Sequence, residues 1–478
     1  MIPLRLEQIA EIVGGDLAGP ADGDRVADRV VIDSREAGPG ALFVALPGEH
    51  ADGHDFVADA AARGATGALV AAGRPVPDAP GPILVDDPLD ALQGLGSWIR
   101  DTVDPLVVAI TGSQGKTTTK DLTRAALGAG LETVAAPGSY NNDLGVPLTC
   151  ARLERTSQAL VAEVGTRGIG HIARLAPLLR PDIAVVTAVG ASHLELLGSL
   201  DAVAQAKGEL VEALAPEGLA VLAGDDPRVA GLAERTVAAS VTVGHDAARD
   251  WRAREVTLDR RARASFEALA PDGRRVPVRL ALPGAHNVVN ALCALAVADA
   301  AGVDLEAAAA ALATARGSRW RLEAHDLPEG GVVLNDAYNA NPASTAAALD
   351  ALAAVGVPGT RVAILGEMAE LGATTEEAHR EVGARVAALG LDALIVVGAA
   401  AEPIATGARA AGFGGALAQV ADGDAARAVA RDHVDARSAV LVKASRAVGL
   451  ESLAAGLARD LGGADAAAGD EPGAEGSP

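Results

Sequence analysis

A glycine-rich turn constrains the fold of this 478-residue chain more than any other feature of its sequence. The apolar run 106–110 leads into Thr111-Gly-Ser-Gln-Gly-Lys-Thr-Thr-Thr-Lys120, and a helix-compatible segment follows. A strand that turns on glycines into a helix points backbone N–H groups at one spot, where the helix dipole also favours an anion. The Lys116 ammonium would add a positive charge, and the Thr117 hydroxyl could ligate Mg²⁺. The turn therefore predicts a nucleoside triphosphate site at the end of a strand in an α/β fold.

This turn is a shortened form of the general phosphate-binding loop. Ile110 stands five residues before Gly115, where the general pattern has glycine. A plain strand–helix turn with an exposed lysine is the alternative, but the compact Gly-x-x-Gly-Lys-Thr-Thr spacing favours phosphate binding. The predicted phosphate-binding residues are Gly112, Ser113, Gln114, Gly115, Lys116, Thr117 and Thr118.

Composition and charge exclude several classes of function. The formal net charge of −23 disfavours general nucleic-acid binding, which needs a basic surface. Cys150 and Cys293 lie far apart, without metal-ligand spacing, and we expect two buried, reduced thiols. The start of the chain lacks the layout of a signal peptide, and no apolar run reaches membrane-spanning length. We therefore expect a soluble, cytoplasmic protein that acts as a monomer.

Short apolar runs separated by alanine-rich helical segments recur along the chain. They predict parallel strands covered on both faces, and the length favours about three domains. The predicted strands are 106–110, 159–162, 183–186, 219–222, 332–334, 362–365, 394–397 and 439–442. The fold class is thus α/β, with an N-terminal α/β domain over 1–102, a central parallel sheet of the phosphate-loop ATPase type over 103–317, a Rossmann-like domain over 318–462 and a disordered tail over 463–478.

Three polar residues near predicted strands or helices are candidates for chemistry. Glu163 ends a predicted strand, where open α/β sheets place ligands, and a carboxylate beside a phosphate loop suits Mg²⁺. Alone it could equally be a solvated acid. His193 follows another apolar run and could ligate a metal or serve only structure. Lys207 lies in a largely apolar predicted helix, where a lysine usually extends its ammonium to solvent.

Asparagine-rich segments form a further group of candidates. Asparagine donates and accepts hydrogen bonds, which suits sugars, amides and phosphates, although the same residues also serve turns and helix caps. Two such segments follow predicted strands, which favours binding. The candidates are Asn141 and Asn142, then His286, Asn287 and Asn290 at a predicted helix start, and Asp336, Tyr338, Asn339 and Asn341 after the strand 332–334.

From about residue 30 to about residue 450, these motifs together resemble the Mur ligase family of ATP-dependent, amide-forming enzymes of peptidoglycan precursor synthesis. The segment from Asp33-Ser-Arg35 through residues 40–56 is similar to the family's uridine-binding domain. The segments 338–342 and 365–372 resemble the branch that adds a dipeptide to a tripeptide. The resemblance implies that the UDP substrate contacts Asp33, Ser34, Arg35, Gly48, Asp52, Gly53, His54, Asn141 and Asn142.

The resemblance also implies a reaction and its cofactors. ATP would phosphorylate the terminal carboxylate of UDP-N-acetylmuramoyl-tripeptide, and the amine of D-alanyl-D-alanine would displace phosphate from the acyl phosphate. Thr117 and Glu163 would hold one Mg²⁺, and His193 with a carbamylated Lys207 a second. The implied catalytic residues are Lys116, Glu163, His193 and Lys207, and the implied ATP contacts beyond the loop are His286, Asn287, Asn290, Arg321, Asp336, Tyr338, Asn339 and Asn341. A family member adding a different amino acid, or an inactive nucleotide-binding scaffold, remains open.

Overall fold

The computed structural model describes residues 1–18, 22–48, 51–74, 79–191 and 194–463. In its first part, a sheet in the order β2-β7-β6-β5-β4 is parallel except for β2, and β1 pairs separately with β3. The strands are β1 Leu4–Arg5, β2 Asp16–Leu17, β3 Val26–Ala27, β4 Arg29–Val31, β5 Ala41–Val44, β6 Gly67–Ala71 and β7 Pro82–Val85. The helices are α1 Leu6–Val13, α2 Val57–Ala62 and α3 Pro88–Val103.

Helix α3 connects this sheet to the centre of the molecule. Asp87 accepts hydrogen bonds from the backbone N–H groups of Leu89 and Asp90, and Pro88 occupies the first turn, so the helix start is capped. The helix ends at Asp104, whose φ of 53° turns the chain into the next strand. Asp104 and Pro105 therefore form a tight turn between α3 and the next strand.

The central sheet has the order β16-β15-β14-β13-β12-β11-β8-β10-β9. Its strands are parallel from β9 to β14, which brings the carboxyl ends of β8, β10 and β11 to one edge. The strands are β8 Leu106–Thr111, β9 Thr133–Ala135, β10 Ala159–Glu163, β11 Ile183–Val186, β12 Leu219–Ala223, β13 Ala239–Gly244, β14 Trp251–Leu258, β15 Arg263–Leu269 and β16 Arg275–Pro283. The helices are α4 Lys116–Leu127, α5 Gly145–Cys150, α6 His171–Leu179, α7 Leu194–Leu197, α8 Leu200–Glu212, α9 Pro227–Ala230, α10 Asn287–Ala300 and α11 Leu305–Leu312.

Strands β14 to β16 form an antiparallel extension that the sequence reading did not predict. Its burial alternates along β16, since one face packs on the core while the other faces solvent. A search for continuous apolar runs cannot detect such strands. A period-two pattern over residues 275–280 is the signal that would have found them.

The last sheet has the order β17-β18-β22-β19-β20-β21, with an antiparallel edge at β17. The strands are β17 Glu323–Asp326, β18 Val332–Asn335, β19 Arg361–Leu365, β20 Ala393–Val397, β21 Ala416–Val420 and β22 Ala439–Lys443. The helices are α12 Pro342–Ala354, α13 Thr375–Ala388, α14 Glu402–Ala410, α15 Gly423–Ala430 and α16 Glu451–Asp460. The eight strands predicted from apolar runs are all present, and the α/β fold class is confirmed.

Hydrophobic packing divides the molecule unevenly. One continuous core joins α1 and α3 to the central sheet, so the first two sheets share buried residues. The last sheet has a core on each face, one of which also includes Ala262 from the turn between β14 and β15. Each of the larger sheets lies inside one predicted segment, and the exact domain bounds at 102/103 and 317/318 stay predictions.

Some predictions concern features other than the sheets. Cys150 and Cys293 are buried free thiols, as predicted. Within the described ranges, no helix has both the length and the apolar content needed to cross a membrane. Of the predicted tail, residues 464–478 lie outside the described residues.

Candidate active site

The glycine turn lies at the carboxyl end of β8 and leads directly into α4. Gly115 has a φ of 79°, and a Cβ there would stand 2.8 Å from Asn290 Oδ1. Gly112 has a φ of 153°, and a side chain on it would collide with Thr187. Both positions therefore require glycine for conformation and for space.

Contacts to the end of β11 hold this turn in place. Ser113 Oγ donates to Gly190 O at 3.0 Å and accepts from Gly190 N at 2.8 Å. Thr187 Oγ1 donates to Gln114 O at 2.5 Å. In the described part of the chain Gln114 Oε1 is buried without a hydrogen-bond partner, although it borders the cleft. The turn is thus rigid at its base and presents an unused acceptor.

Lys116 folds back over the turn that it follows. Its Nζ donates to Gly112 O at 2.7 Å. Burial lowers the pKa of Lys116, the nearby Glu163 carboxylate opposes that effect, and Arg321 adds to it. An ammonium in this position can neutralise phosphate charge.

Glu163 is the centre of a polar cluster and is fully buried at the end of β10. Its Oε2 accepts from Thr117 Oγ1 at 2.8 Å, and its Oε1 accepts from Ser139 Oγ at 2.8 Å and from Asn141 Nδ2 at 2.7 Å. Burial by itself raises the pKa of Glu163, but the positive charges of Lys116 and Arg321 outweigh it, so the pKa lies below its usual value. The carboxylate is therefore ionised and surrounded by oxygen and amide groups that suit a hard cation.

Lys207 lies on α8 and borders the same cleft, with 2% of its surface exposed. Its Nζ makes no hydrogen bond or ion pair with any other residue of the described ranges. Burial lowers the pKa of Lys207 well below the ordinary value, and the charge of Lys116 contributes in the same direction. The alternative that this lysine extends its ammonium to solvent does not hold, because α8 packs its Lys207 face inward.

His193, the predicted partner of Lys207, lies outside the described residues. Over the ranges that are described, no group of three or more His, Cys, Asp or Glu side chains has a metal-binding arrangement. The predicted second metal site thus stays a prediction.

The last sheet contributes one wall of the cleft through the segment that precedes β17. The Arg321 guanidinium lies 4.0 Å from the centre of the Tyr338 ring, and its Nη2 donates to Thr117 Oγ1 at 3.2 Å. Asp336, at the end of β18, accepts from Lys443 Nζ at 2.6 Å and from Leu322 N at 3.0 Å. These contacts bring Arg321 to the phosphate loop, 204 residues away in sequence.

The predicted asparagine and histidine residues have mixed surroundings. Asn290 Nδ2 donates to Asn287 Oδ1 at 2.9 Å, and Asn287 Nδ2 donates to Pro283 O at 2.8 Å, so the pair orders the start of α10 beside Gly115. Asn341 caps α12 through Ser344 N at 2.8 Å. His286 is exposed, and Asn339 accepts from Ala340 N at 2.9 Å. All of these residues border the cleft.

The residues predicted to contact the UDP substrate separate into two groups. Asn141 and Asn142 border the cleft, although Asn142 Oδ1 also accepts from Gly145 N at 2.8 Å at the start of α5. In the first sheet, His54 pairs with Asp52 at 2.6 Å and accepts from Ala71 N at 3.0 Å, which anchors its loop to β6. Gly48 and Gly53 belong to that loop, where Gly48 N donates to Ala51 O and Gly53 N to Leu46 O.

The segment Asp33-Ser34-Arg35 forms its own ion pair, with Arg35 Nη2 at 2.6 Å from Asp33 Oδ2. Ser34 is 7% exposed. The neighbours Ile32 and Glu36, rather than these three residues, border the cleft. The assignment of Asp33, Ser34, Arg35, Gly48, Asp52, Gly53 and His54 to the UDP substrate stays a prediction.

The cleft has a volume of about 1360 Å³ and is bordered by residues from each of the larger sheets or their connections. Sequence reasoning missed several of its polar residues, among them Ser139, Asp121 and Lys443. It also missed the buried Lys120, whose Nζ donates to Ala136 O and Gly138 O in the cleft wall. Lys443 directly follows the predicted strand 439–442, so the rule that found Glu163 would also have found it. Thus fold and site define a phosphate-binding α/β protein whose cleft lies between its sheets.

Comparisons with known proteins agree with this class. Residues 110–298 match the Mur ligase middle domain, residues 320–446 match the Mur ligase glutamate ligase domain, and residues 27–83 match the Mur ligase family catalytic domain. The chain is 42% identical to the UDP-N-acetylmuramoyl-tripeptide–D-alanyl-D-alanine ligase of Mycobacterium bovis, over 96% of this chain and 98% of that protein. It is 39% identical to the Escherichia coli protein of the same name, over 85% and 88% of the two chains.

Solved structures give the same result. A crystal structure of MurF from Acinetobacter baumannii superposes with a TM-score of 0.84 at 31% identity, covering 96% of this chain and 99% of that one. MurF ligase from Thermotoga maritima in complex with ADP superposes with a TM-score of 0.76 at 27% identity, over 91% and 98% of the chains. The chain therefore belongs to the Mur ligase family, which confirms the resemblance found in its sequence.

Proposed function

We propose that this protein is an ATP-dependent ligase that joins D-alanyl-D-alanine to UDP-N-acetylmuramoyl-tripeptide. The observation that carries the proposal is the polar cleft at the phosphate loop. There the hydroxyl of Thr117 donates to the Glu163 carboxylate and accepts from the Arg321 guanidinium. The names of the relatives, which cover nearly the whole chain, support the choice of substrates. The ADP complex of the Thermotoga maritima relative supports ATP as the phosphate donor.

The reaction needs two bond exchanges. A carboxylate oxygen of the tripeptide bonds to the γ-phosphorus of ATP. The bond from that phosphorus to the oxygen bridging the β- and γ-phosphates breaks, and ADP leaves with its electrons. The dipeptide amine then bonds to the acyl carbon, phosphate leaves with the C–O bond electrons, and the nitrogen loses a proton. Because the charge is spread over phosphate oxygens, positioning and charge neutralisation account for most of the catalysis.

Five residues of the cleft would have roles in that scheme. Backbone N–H groups of the turn and Lys116 would bind the β- and γ-phosphates. Arg321, stacked on Tyr338, would hold the transferring phosphoryl group from the opposite wall. Thr117 and Glu163 have the oxygen donors that Mg²⁺ prefers, and Mg²⁺ would neutralise charge on the phosphates.

Lys207 has the surroundings that a lysine carbamate requires. A neutral amine adds carbon dioxide, and burial keeps more of this amine neutral than an exposed lysine would be. The carbamate would be an oxygen ligand for a second Mg²⁺, together with His193. We further propose that the protein works in the cytoplasm as a monomer.

The test of the function is product analysis. Purified protein with MgATP, UDP-N-acetylmuramoyl-tripeptide and D-alanyl-D-alanine should yield the amide product by mass spectrometry, with ADP and phosphate in equal amounts. A panel of single amino acids serves as the control for amine specificity. ADP formation that is unchanged without the dipeptide contradicts the proposal, and ATP binding without product would indicate an inactive scaffold.

Replacing Lys116 tests the phosphate role directly. Lys116→Met keeps the length of the side chain and removes its charge, so we expect kcat to fall by about 100-fold or more. Steady-state kinetics and the melting temperature are the measurements. Near-normal kcat in a folded variant would refute the role of Lys116 in phosphate binding.

A further inference from the structure

Lys120 and Asp121 are buried charged residues on α4 that the reaction scheme does not use. We propose that this pair is a positioning device, which couples docking of the segment 318–321 to the alignment of Thr117 and Glu163. The proposal rests on the proposed function. It adds two positioning residues that touch neither nucleotide nor metal in that scheme.

Lys120 acts on the loop between β9 and α5. It is 1% exposed, and its Nζ donates to Ala136 O at 2.6 Å and to Gly138 O at 2.7 Å. A buried ammonium is costly unless it is paired and hydrogen-bonded, so this loop is strongly held by the lysine. Lys120 thereby fixes the backbone immediately before Ser139.

Ser139 transmits that position to the polar cluster. Its Oγ donates to Glu163 Oε1 at 2.8 Å and lies 3.2 Å from Thr117 Oγ1. Asn141 belongs to the same loop and donates to the same carboxylate oxygen. Moving the loop would therefore change the orientation of the Glu163 carboxylate.

Asp121 instead contacts the segment 318–321, which precedes the last sheet. Its Oδ1 lies 3.1 Å from Lys120 Nζ, while its Oδ2 accepts from both Ser318 N at 2.7 Å and Ser318 Oγ at 2.8 Å. Three residues beyond Ser318, Arg321 reaches Thr117 Oγ1. Asp121 thus binds the start of the segment 318–321 to α4, while Arg321 binds its end.

These contacts form a closed ring of residues that begins and ends on α4. The ring runs through Thr117, Glu163, Ser139, Lys120, Asp121, Ser318 and Arg321. Thr117 and Asp121 are four residues apart, so they lie on neighbouring turns of α4 and keep a constant separation. When the segment 318–321 docks, it gives partners to both residues, and Lys120 connects the docked aspartate to the loop of Ser139. Undocking would remove hydrogen bonds from a buried carboxylate, which disfavours that arrangement.

A purely stabilising role is the alternative, and kinetics can separate it from positioning. Among the described residues, the turn from Gly112 to Lys116 makes no hydrogen bond to Asp121 or Ser318. The ring residues Thr117, Glu163 and Arg321 would bind Mg²⁺ and the transferred γ-phosphate, so we expect the affinity for ADP without Mg²⁺ to depend little on the ring. Alignment of the reacting groups should depend on it, and small misplacements can strongly slow a reaction. A positioning role therefore predicts an effect on kcat without a matching effect on ADP affinity.

The experiment compares Asp121→Asn, Ser318→Ala and the double variant with Asp460→Asn. The control loses a carboxylate that is paired with Arg427 and Arg431 and does not border the cleft. We expect Asp121→Asn to lower kcat about tenfold or more and the double variant to be no slower than it, since both changes break one contact. The ADP Kd from calorimetry without Mg²⁺ should stay within about twofold of the wild-type value.

A kcat loss that matches the control, losses that multiply in the double variant, or a parallel rise in ADP Kd would overturn the proposal. Ser318→Ala keeps the Lys120–Asp121 pair, so it remains a test if Asp121→Asn does not fold. A wild-type protein that makes no amide product rejects the proposed function instead. In that case hydrogen exchange tests whether the segment 318–321 and the loop of Ser139 are coupled. Exchange of peptides spanning 133–145 that is faster in Ser318→Ala than in the wild type supports the coupling, and unchanged exchange overturns it.

Discussion

At the scale of single residues, the site depends on charges that are held out of water. Glu163 and Lys207 are both almost fully buried, yet their surroundings have opposite effects on charge. Positive neighbours keep the Glu163 carboxylate ionised, while burial and the ammonium of Lys116 favour a neutral amine at Lys207. An ionised carboxylate and an amine with a lowered pKa thus occur in one cleft because of the distribution of charge.

Lys207 should form a carbamate that can be observed directly. In ¹³C-bicarbonate near neutral pH, we expect a carbamate carbon signal in the wild-type protein, because the lowered pKa increases the neutral fraction of this amine. NMR spectroscopy is the measurement, and Lys207→Met is the matched control. A spectrum of the wild type that is identical to that of the variant would contradict the assignment.

At the scale of elements, α4 and α12 begin at the cleft, while α16 carries a paired charge away from it. The phosphate turn is the start of α4, and Asn341 caps α12 at the opposite wall of the cleft. Away from the cleft, Asp460 at the end of α16 binds Arg427 of α15 and the nearby Arg431 at 2.6 and 2.8 Å. Hydrogen bonds from Arg427, opposed by burial and aided by Arg431, lower the pKa of Asp460 to about 2.

The Asp460 pairing should contribute stability that depends on pH. Its folded-state pKa lies below the unfolded value of about 3.9, so the contribution is complete above the unfolded pKa and disappears as pH falls towards 2. After solvent screening we expect Asp460→Asn to lower the free energy of unfolding by about 1 kcal/mol near pH 7. Denaturant unfolding from pH 7 to pH 3 is the measurement.

The matched control for this prediction is Asp432→Asn. It removes an exposed carboxylate for which the described residues offer no salt bridge. A difference between Asp460→Asn and the wild type that grows as the pH is lowered would have the wrong sign and would reject the pairing as its cause.

At the scale of the whole molecule, the distribution of cores determines which parts unfold together. Along α3 no solvent separates the first sheet from the central sheet, because Leu92, Leu95 and Ile99 belong to the core that the two sheets share. The last sheet is attached through polar contacts such as those of Ser318 and Arg321. Apart from Ala262, the cores of the last sheet consist of its own part of the chain, and we therefore expect it to change its position at a lower cost than the other two.

Cooperativity can be tested with the tryptophans of the shared core. We expect Leu95→Ala to destabilise the protein by about 2–5 kcal/mol and to shift the transitions of Trp98 and Trp251 together. Single-tryptophan variants followed by fluorescence in denaturant are the measurement. Leu349→Ala, in a core of the last sheet, is the control, and a shift of Trp98 alone would show that the shared core is not a cooperative unit.

The strands that could be predicted from the sequence have continuous apolar runs, as at 183–186 and 394–397. The antiparallel extension 251–283 could not be found in that way, because β14 is mostly exposed and burial alternates along β15 and β16. Candidate residues were found where they directly follow apolar runs, as Glu163 and Asp336 do. Lys120 and Asp121 escaped notice because charged residues on a helix are ordinarily solvated.

Local sequence was sufficient for the phosphate turn, since its glycines, lysine and threonine act within ten residues of one strand end. It also determined the fold class, because the period of apolar residues reports which faces are buried. Only the tertiary structure decided which distant groups meet at that turn. Arg321, Ser139 and Glu163 reach Thr117 through the order of strands and the docking of a separate sheet, and neither is encoded in the spacing of neighbouring residues.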